Sequence, residues 1–164
     1  MTQPARSRSL LPLFLIVVVA AVAILVMRMR TAHAPLPEVF RGTASLDEAL
    51  ARAEQTGKPV LVFATASWCP PCQRMKRTTL TDDNVTDRIA ASTIPVYLDV
   101  DESQDAASRL RVRGIPAFIL IEDRTAVARV SGYAGAEDFA RWLDDALAET
   151  DAGALGITGA RGGS

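Results

Sequence analysis

The stretch that decides the fold is Lys58-Pro-Val-Leu-Val-Phe-Ala-Thr-Ala-Ser-Trp-Cys-Pro-Pro-Cys-Gln-Arg-Met-Lys-Arg-Thr-Thr-Leu-Thr-Asp-Asp-Asn-Val85. Its apolar run from Pro59 to Ala66 has the length and turn-forming flanks of a buried strand. Cys69 follows that strand directly. Pro70 and Pro71 suit the first turn of a helix, where missing N–H groups cost little, and the residues through Leu80 continue it. The spacing therefore places Cys69 at a helix start, where unpaired N–H groups and a partial positive charge favour a thiolate. Cys72 comes one turn later on the same face, within reach of a disulfide formed on Cys69. On this reading Cys69 is the nucleophile and Cys72 the resolving thiol. Because neither proline has an N–H, only a moderate lowering of the Cys69 pKa is expected.

The chain has 164 residues, two cysteines and one histidine. Two cysteines make no disulfide framework. A closed zinc site needs four ligands, and the pair has only His33 to add, so neither metal nor cofactor is expected within one chain; a metal or iron–sulfur cluster shared across a dimer is the alternative. Four of the 18 basic residues, Arg6, Arg8, Arg28 and Arg30, lie near the N-terminus. From Ala34 onward 14 basic face 19 acidic residues, a net charge of −5. With no Lys/Arg-rich run, this composition argues against nucleic acid as a partner.

Working outward toward the N-terminus, Leu10 to Met27 is a run of eighteen uncharged residues, about 27 Å long if helical, close to the thickness of a bilayer core. Residues 10–29 are expected to be a transmembrane anchor or uncleaved signal, preceded by a tail at 1–9. Ala32-His33-Ala34 has the small-x-small pattern of a cleavage site, but Pro35 would follow the cut. The arginines on the two flanks balance, so charge alone does not orient the segment. An N-in arrangement puts the domain on the periplasmic or extracellular side, where disulfides persist; a domain tethered to the inner face is the alternative. Residues 30–44, with Pro35, Pro37 and Gly42 and no periodicity, read as a linker.

The folded domain is expected at 45–149. Ser45 and Glu48 form a capping box for a helix ending at Gly57. Beyond the strand and helix around Cys69, a second helical piece at 83–91 leads to a strand at 94–99. A helix at 104–112 and two strands at 117–121 and 126–131, joined at Glu122 to Thr125, follow. Phe139, Trp142, Leu143, Ala146 and Leu147 recur at helical spacing, placing a closing helix at 136–149. The Gly/Ala-rich residues 150–164 read as a disordered tail.

Lys58 to Val85 resembles the thioredoxin superfamily and is most similar to the C-terminal, thioredoxin-like domain of DsbD-type reductases. Arg113-Gly114-Ile115-Pro116 resembles the superfamily segment whose proline follows a cis peptide bond and faces the cysteine pair. The resemblance covers roughly 45–149. It implies an α/β thioredoxin-like fold, a central mixed sheet flanked by helices, here preceded by one N-terminal transmembrane helix. It also implies a thiol:disulfide oxidoreductase that reduces or exchanges disulfides in exported proteins through Cys69 and Cys72, with electrons from a membrane donor. Trp68, Pro70, Pro71, Ile115 and Pro116 would border the substrate, the Ile115 backbone pairing with an extended segment.

Service as a reductant for cytochrome c maturation, or a non-catalytic module that binds extended clients, are the alternatives. In one respect the sequence departs from the family. The positions of the buried Asp before the first cysteine and of the Lys on the next strand hold Phe63 and Tyr97. The acid–base aid to the resolving thiol is then missing, and slow deprotonation of Cys72, or deprotonation through solvent, is expected.

Overall fold

The computed structural model describes residues 11–30, 33–42 and 45–154, without the side chains of 11–12, 27–30 and 151–154. It divides into two units, Met1–His33 and Ala34–Ser164. In the first, helix α1 spans Leu11–Arg30 and exposes a continuous apolar surface that includes Leu13, Phe14, Ile16 and Leu25. Among the described residues, no helix is long and apolar enough to cross a membrane. The expected tail at 1–9 and the start of the anchor at Leu10 lie outside the described residues.

The second unit is built on a four-stranded mixed sheet of β1 (Val60–Thr65), β2 (Ile94–Asp99), β3 (Ala117–Glu122) and β4 (Thr125–Ser131), in the order β2-β1-β3-β4. β1 pairs with β2 in parallel, Val60 opposite Ile94 through Thr65 opposite Asp99, and with β3 antiparallel. All six residues of β1 are buried, as an unbroken apolar run predicts for a strand covered on both faces. β3 and β4 form a hairpin through Asp123 and Arg124, both at positive φ, the backbone of a two-residue turn that follows strand twist.

The helices cover both faces. On one, Leu61, Phe63, Phe118 and Leu120 meet Met75, Leu80, Val85, Ile89, Phe139 and Leu143, from α3 (Pro70–Arg77), a short 3-10 turn at Thr79–Thr81, α4 (Asp83–Ser92) and α6 (Ala136–Ala154). On the other, Val60, Val62, Ala64, Val96 and Ile119 meet Leu46 and Ala49 of α2 (Leu46–Thr56) and Ala106 and Ala107 of α5 (Gln104–Arg109). Alternate residues of a strand face opposite ways, so β1 feeds Leu61 and Phe63 to one core and Val60 and Val62 to the other. The capping box at Ser45 forms, with Ser45 Oγ accepting from Glu48 N–H and Glu48 accepting from Ser45 N–H. Gly57 closes α2 at φ 71°, a conformation glycine adopts without steric cost.

Two boundaries differ from expectation. Residues 34–42, read as part of a linker, pack on the domain. Ala34 and Pro37 are buried, Glu38–Phe40 forms a 3-10 turn, and the Phe40 ring, 1% exposed, lies 5.7 Å from that of Phe63. A single aromatic in a Pro-rich segment carries no periodicity, which is why the pattern missed it. At the other end α6 continues to Ala154, with Thr150 buried and bonded to the Leu147 carbonyl. Residues 155–164 of the expected tail lie outside the described residues.

Candidate active site

The strand β1 ends at Thr65, the chain turns through Ala66–Trp68, and α3 begins at Pro70. Cys69 is the N-cap of α3. Because Pro70 and Pro71 occupy the first two helical positions, the first N–H that the helix presents is that of Cys72, which donates to Cys69 Sγ at 3.2 Å. Cys69 and Cys72 are joined as a disulfide, with a Cα–Cα distance of 5.3 Å. Cys69 is 3% exposed and Cys72 is fully buried; of the two residues, only the one at the helix start keeps any exposed surface. Ala66 is buried with them, and Ile115 and Val100 pack against the group.

The other expected site residues gather at this end of the sheet. Trp68 is 63% exposed, and its indole Nε1 donates to Asp101 Oδ2 at 2.7 Å. Pro70 and Pro71 are exposed on the first turn of α3. Ile115 precedes Pro116 through a cis peptide bond, and Pro116 is buried, its carbonyl accepting from Gly132 N–H. Ile115 is thus brought to the cysteine pair, and Trp68 stands on the rim.

Three neighbours of the site escape the sequence reading. Gln73, buried beside Cys72, donates from its amide to the carbonyls of Ala66 and Ser67 and accepts from Ala34 N–H at 2.6 Å. One side chain therefore fixes both the loop before Cys69 and the segment that enters the domain. Asp101 has no sequence signal apart from its place just after β2. Lys76 could have been found by counting: it lies four residues after Cys72, on the same face of the helix.

Phe63 and Tyr97 stand opposite each other on β1 and β2, both reaching the α3 side. Phe63 is fully buried and stacks on Phe118 at 4.7 Å. The Tyr97 hydroxyl accepts a hydrogen bond from Lys76 Nζ. Burial pushes the Lys76 ammonium below its ordinary pKa, opposed by the charge of Asp99. Burial, with Asp99 and Glu102, pushes the Tyr97 phenol up, partly opposed by the nearby Thr65 hydroxyl. That hydroxyl is buried and makes no hydrogen bond of normal length.

A mixed sheet with a cystine at the start of its first crossover helix, and the residue ahead of a cis proline packed beside that cystine, defines a thiol:disulfide oxidoreductase of thioredoxin-like fold. The chain belongs to the thioredoxin-like domain family, whose model matches residues 46–147. It is 34% identical over 120 residues to the thiol:disulfide interchange protein DsbD of Ralstonia nicotianae, covering 68% of this chain and 19% of that protein. It is also 34% identical over 92 residues to thioredoxin of Mycobacterium tuberculosis, covering 56% and 77%. Thus the chain spans about a fifth of the length of the DsbD relative and most of the thioredoxin. Among solved structures, a thioredoxin from Thermus thermophilus superposes with a TM-score of 0.62 at 28% identity, covering 71% of this chain and 95% of that one.

Proposed function

We propose that the protein is a membrane-anchored oxidoreductase that reduces or exchanges disulfides in exported proteins through the Cys-Pro-Pro-Cys dithiol. The observation that carries this reading is Cys69 at the N-cap of α3, bonded to the buried Cys72, with Ile115 alongside. In the reduced protein, the Cys69 thiolate attacks a client disulfide. Cys72 then attacks Cys69 Sγ, so that the client leaves reduced and the cystine forms. Trp68, Pro70 and Pro71 supply the exposed rim, and the Ile115 backbone meets an extended client segment. The uncharged run at 10–27 supports an anchor, and an N-in orientation puts the domain on the periplasmic or extracellular side with a membrane donor for its electrons.

The test is a Cys72→Ser variant of the full chain expressed in its host. It should accumulate mixed disulfides at Cys69 with exported proteins; a variant that traps none sinks the client reading. Equilibration with thiol buffers then gives the direction of flow, since a potential near about −270 mV fits a reductant and one near about −120 mV an oxidant. Release of the full chain from membranes by alkaline carbonate would remove the anchor.

A further inference from the structure

We propose that Lys76, held in place by Tyr97, is the positioning residue that favours the Cys72 thiolate in the resolving step. This inference rests on the exchange reading above and assigns the charge that replaces the missing buried acid. The first observation is burial: Lys76, 4% exposed, is the one charged side chain among the buried described residues. Lysine is rarely buried without a partner. Its partner here is a phenol, with Nζ on the Tyr97 hydroxyl and 4.8 Å from the ring centroid. The hydrogen-bonded partner is neutral, so apart from the charge of Asp99 acting on it the ammonium is not cancelled as it would be by a directly bonded carboxylate.

The second observation is position. Cys72 and Lys76 are one helical turn apart on α3, a spacing that puts their Cβ atoms roughly 5–6 Å apart. Cys72 itself has no exposed surface, so water does not reach its sulfur in the disulfide form, and an anion formed there is favoured by a cation carried one turn away on the same helix face. The groups that face Lys76 are Tyr97 and Asp99 from β2. Glu102 and the Thr65 hydroxyl act on the same phenol, and the Phe40 and Phe63 rings enclose it at 6.5 and 5.9 Å. Arg74 and Arg77, also on α3, are exposed. Tyr97 holds the amine, and the aromatic wall around it keeps water from screening its charge.

In the step itself, the Cys72 thiol gives up its proton to water, which enters as the mixed disulfide opens the site. The resulting thiolate attacks Cys69 Sγ, the bond from Cys69 to the client sulfur breaks, and the electron pair leaves on the client thiolate, which takes a proton from water. Two electrons pass from the dithiol to the client. Lys76 stays protonated throughout and lowers the cost of the first event.

Stopped-flow reaction of the reduced full chain with an aromatic disulfide separates the two attacks. The first release of coloured thiolate reports Cys69 and the second reports Cys72. Lys76→Met should slow the second phase about tenfold relative to the first at pH 7 and raise its pH midpoint by about one unit, since a unit of pKa is a factor of ten. Lys76→Arg should restore most of the loss. An unchanged second phase in Lys76→Met, or equal slowing in Lys76→Met and Lys76→Arg with an unmoved midpoint, overturns the proposal. Should Lys76→Met not fold, Tyr97→Phe is read in the same way: the midpoint must rise, by less, and an unmoved midpoint counts against the proposal. A parent chain that shows no second phase would remove the exchange reading itself rather than this one.

Discussion

The Trp68 indole and the Asp101 carboxylate are joined across the mouth of the site, Nε1 to Oδ2, at 2.7 Å. The bond ties the loop before Cys69 to the loop after β2. It holds an indole that is otherwise largely in water. Removing the carboxylate should free the ring while leaving the fold intact. Asp101→Ala is expected to cost about 1 kcal/mol or less in stability and to lower kcat/KM on a protein disulfide several-fold. The fluorescence change between oxidised and reduced protein should shrink with it. Retention of the full fluorescence change would mean that Asp101 does not hold the indole.

The buried ring of Phe40 predicts a stability effect from a residue well outside the sheet. Phe40→Ala should destabilise the protein by about 3–5 kcal/mol, the usual cost of deleting a buried phenyl ring. Urea unfolding measures it. A loss below about 1 kcal/mol would show that residues 34–42 do not belong to the cooperative unit.

Lys76 and Tyr97 make opposite contributions to stability as pH changes. The folded-state pKa of Lys76 is lowered, so the unfolded chain binds the extra proton. The burial cost of the ammonium is present at low pH and is relieved as pH rises from the folded value to about 10.5. The folded-state pKa of Tyr97 is raised; its contribution is full below about 10 and is lost as pH rises through the folded value. Unfolding free energy followed from pH 7 upward should therefore rise less steeply in Lys76→Met than in the parent. Parallel curves for the two proteins would contradict the assignment.

The capping box at Ser45 is a separate, local matter. Ser45→Ala should cost about 1 kcal/mol through loss of the acceptor for Glu48 N–H, with no change in the redox equilibrium. A measured shift in that equilibrium would reveal a coupling from α2 to the cysteines that the contacts do not provide.

Much of the architecture could be read from the sequence because the signals were local. The strand from Val60, the prolines opening α3 and the Phe139–Leu147 stripe each follow from periodicity or turn chemistry within a dozen residues, and each element stands within a few residues of its expected place. The cysteine pair was legible for the same reason. What the sequence did not reveal depends on contacts across long separations: Phe40 on Phe63, Gln73 on Ala34, Trp68 on Asp101 and Lys76 on Tyr97. Phe63 and Tyr97 do stand opposite each other on β1 and β2. Nothing in their sequence positions signalled that α3, one layer above, brings the Lys76 amine to the Tyr97 hydroxyl.

Gln73 gives the domain a mechanical property. Its amide grips Ala34 with one end and the Ala66–Ser67 carbonyls with the other, so a pull on the chain ahead of Ala34 reaches the turn before Cys69 without passing through the sheet. The loop's freedom to open would then depend on how taut the chain ahead of the domain is.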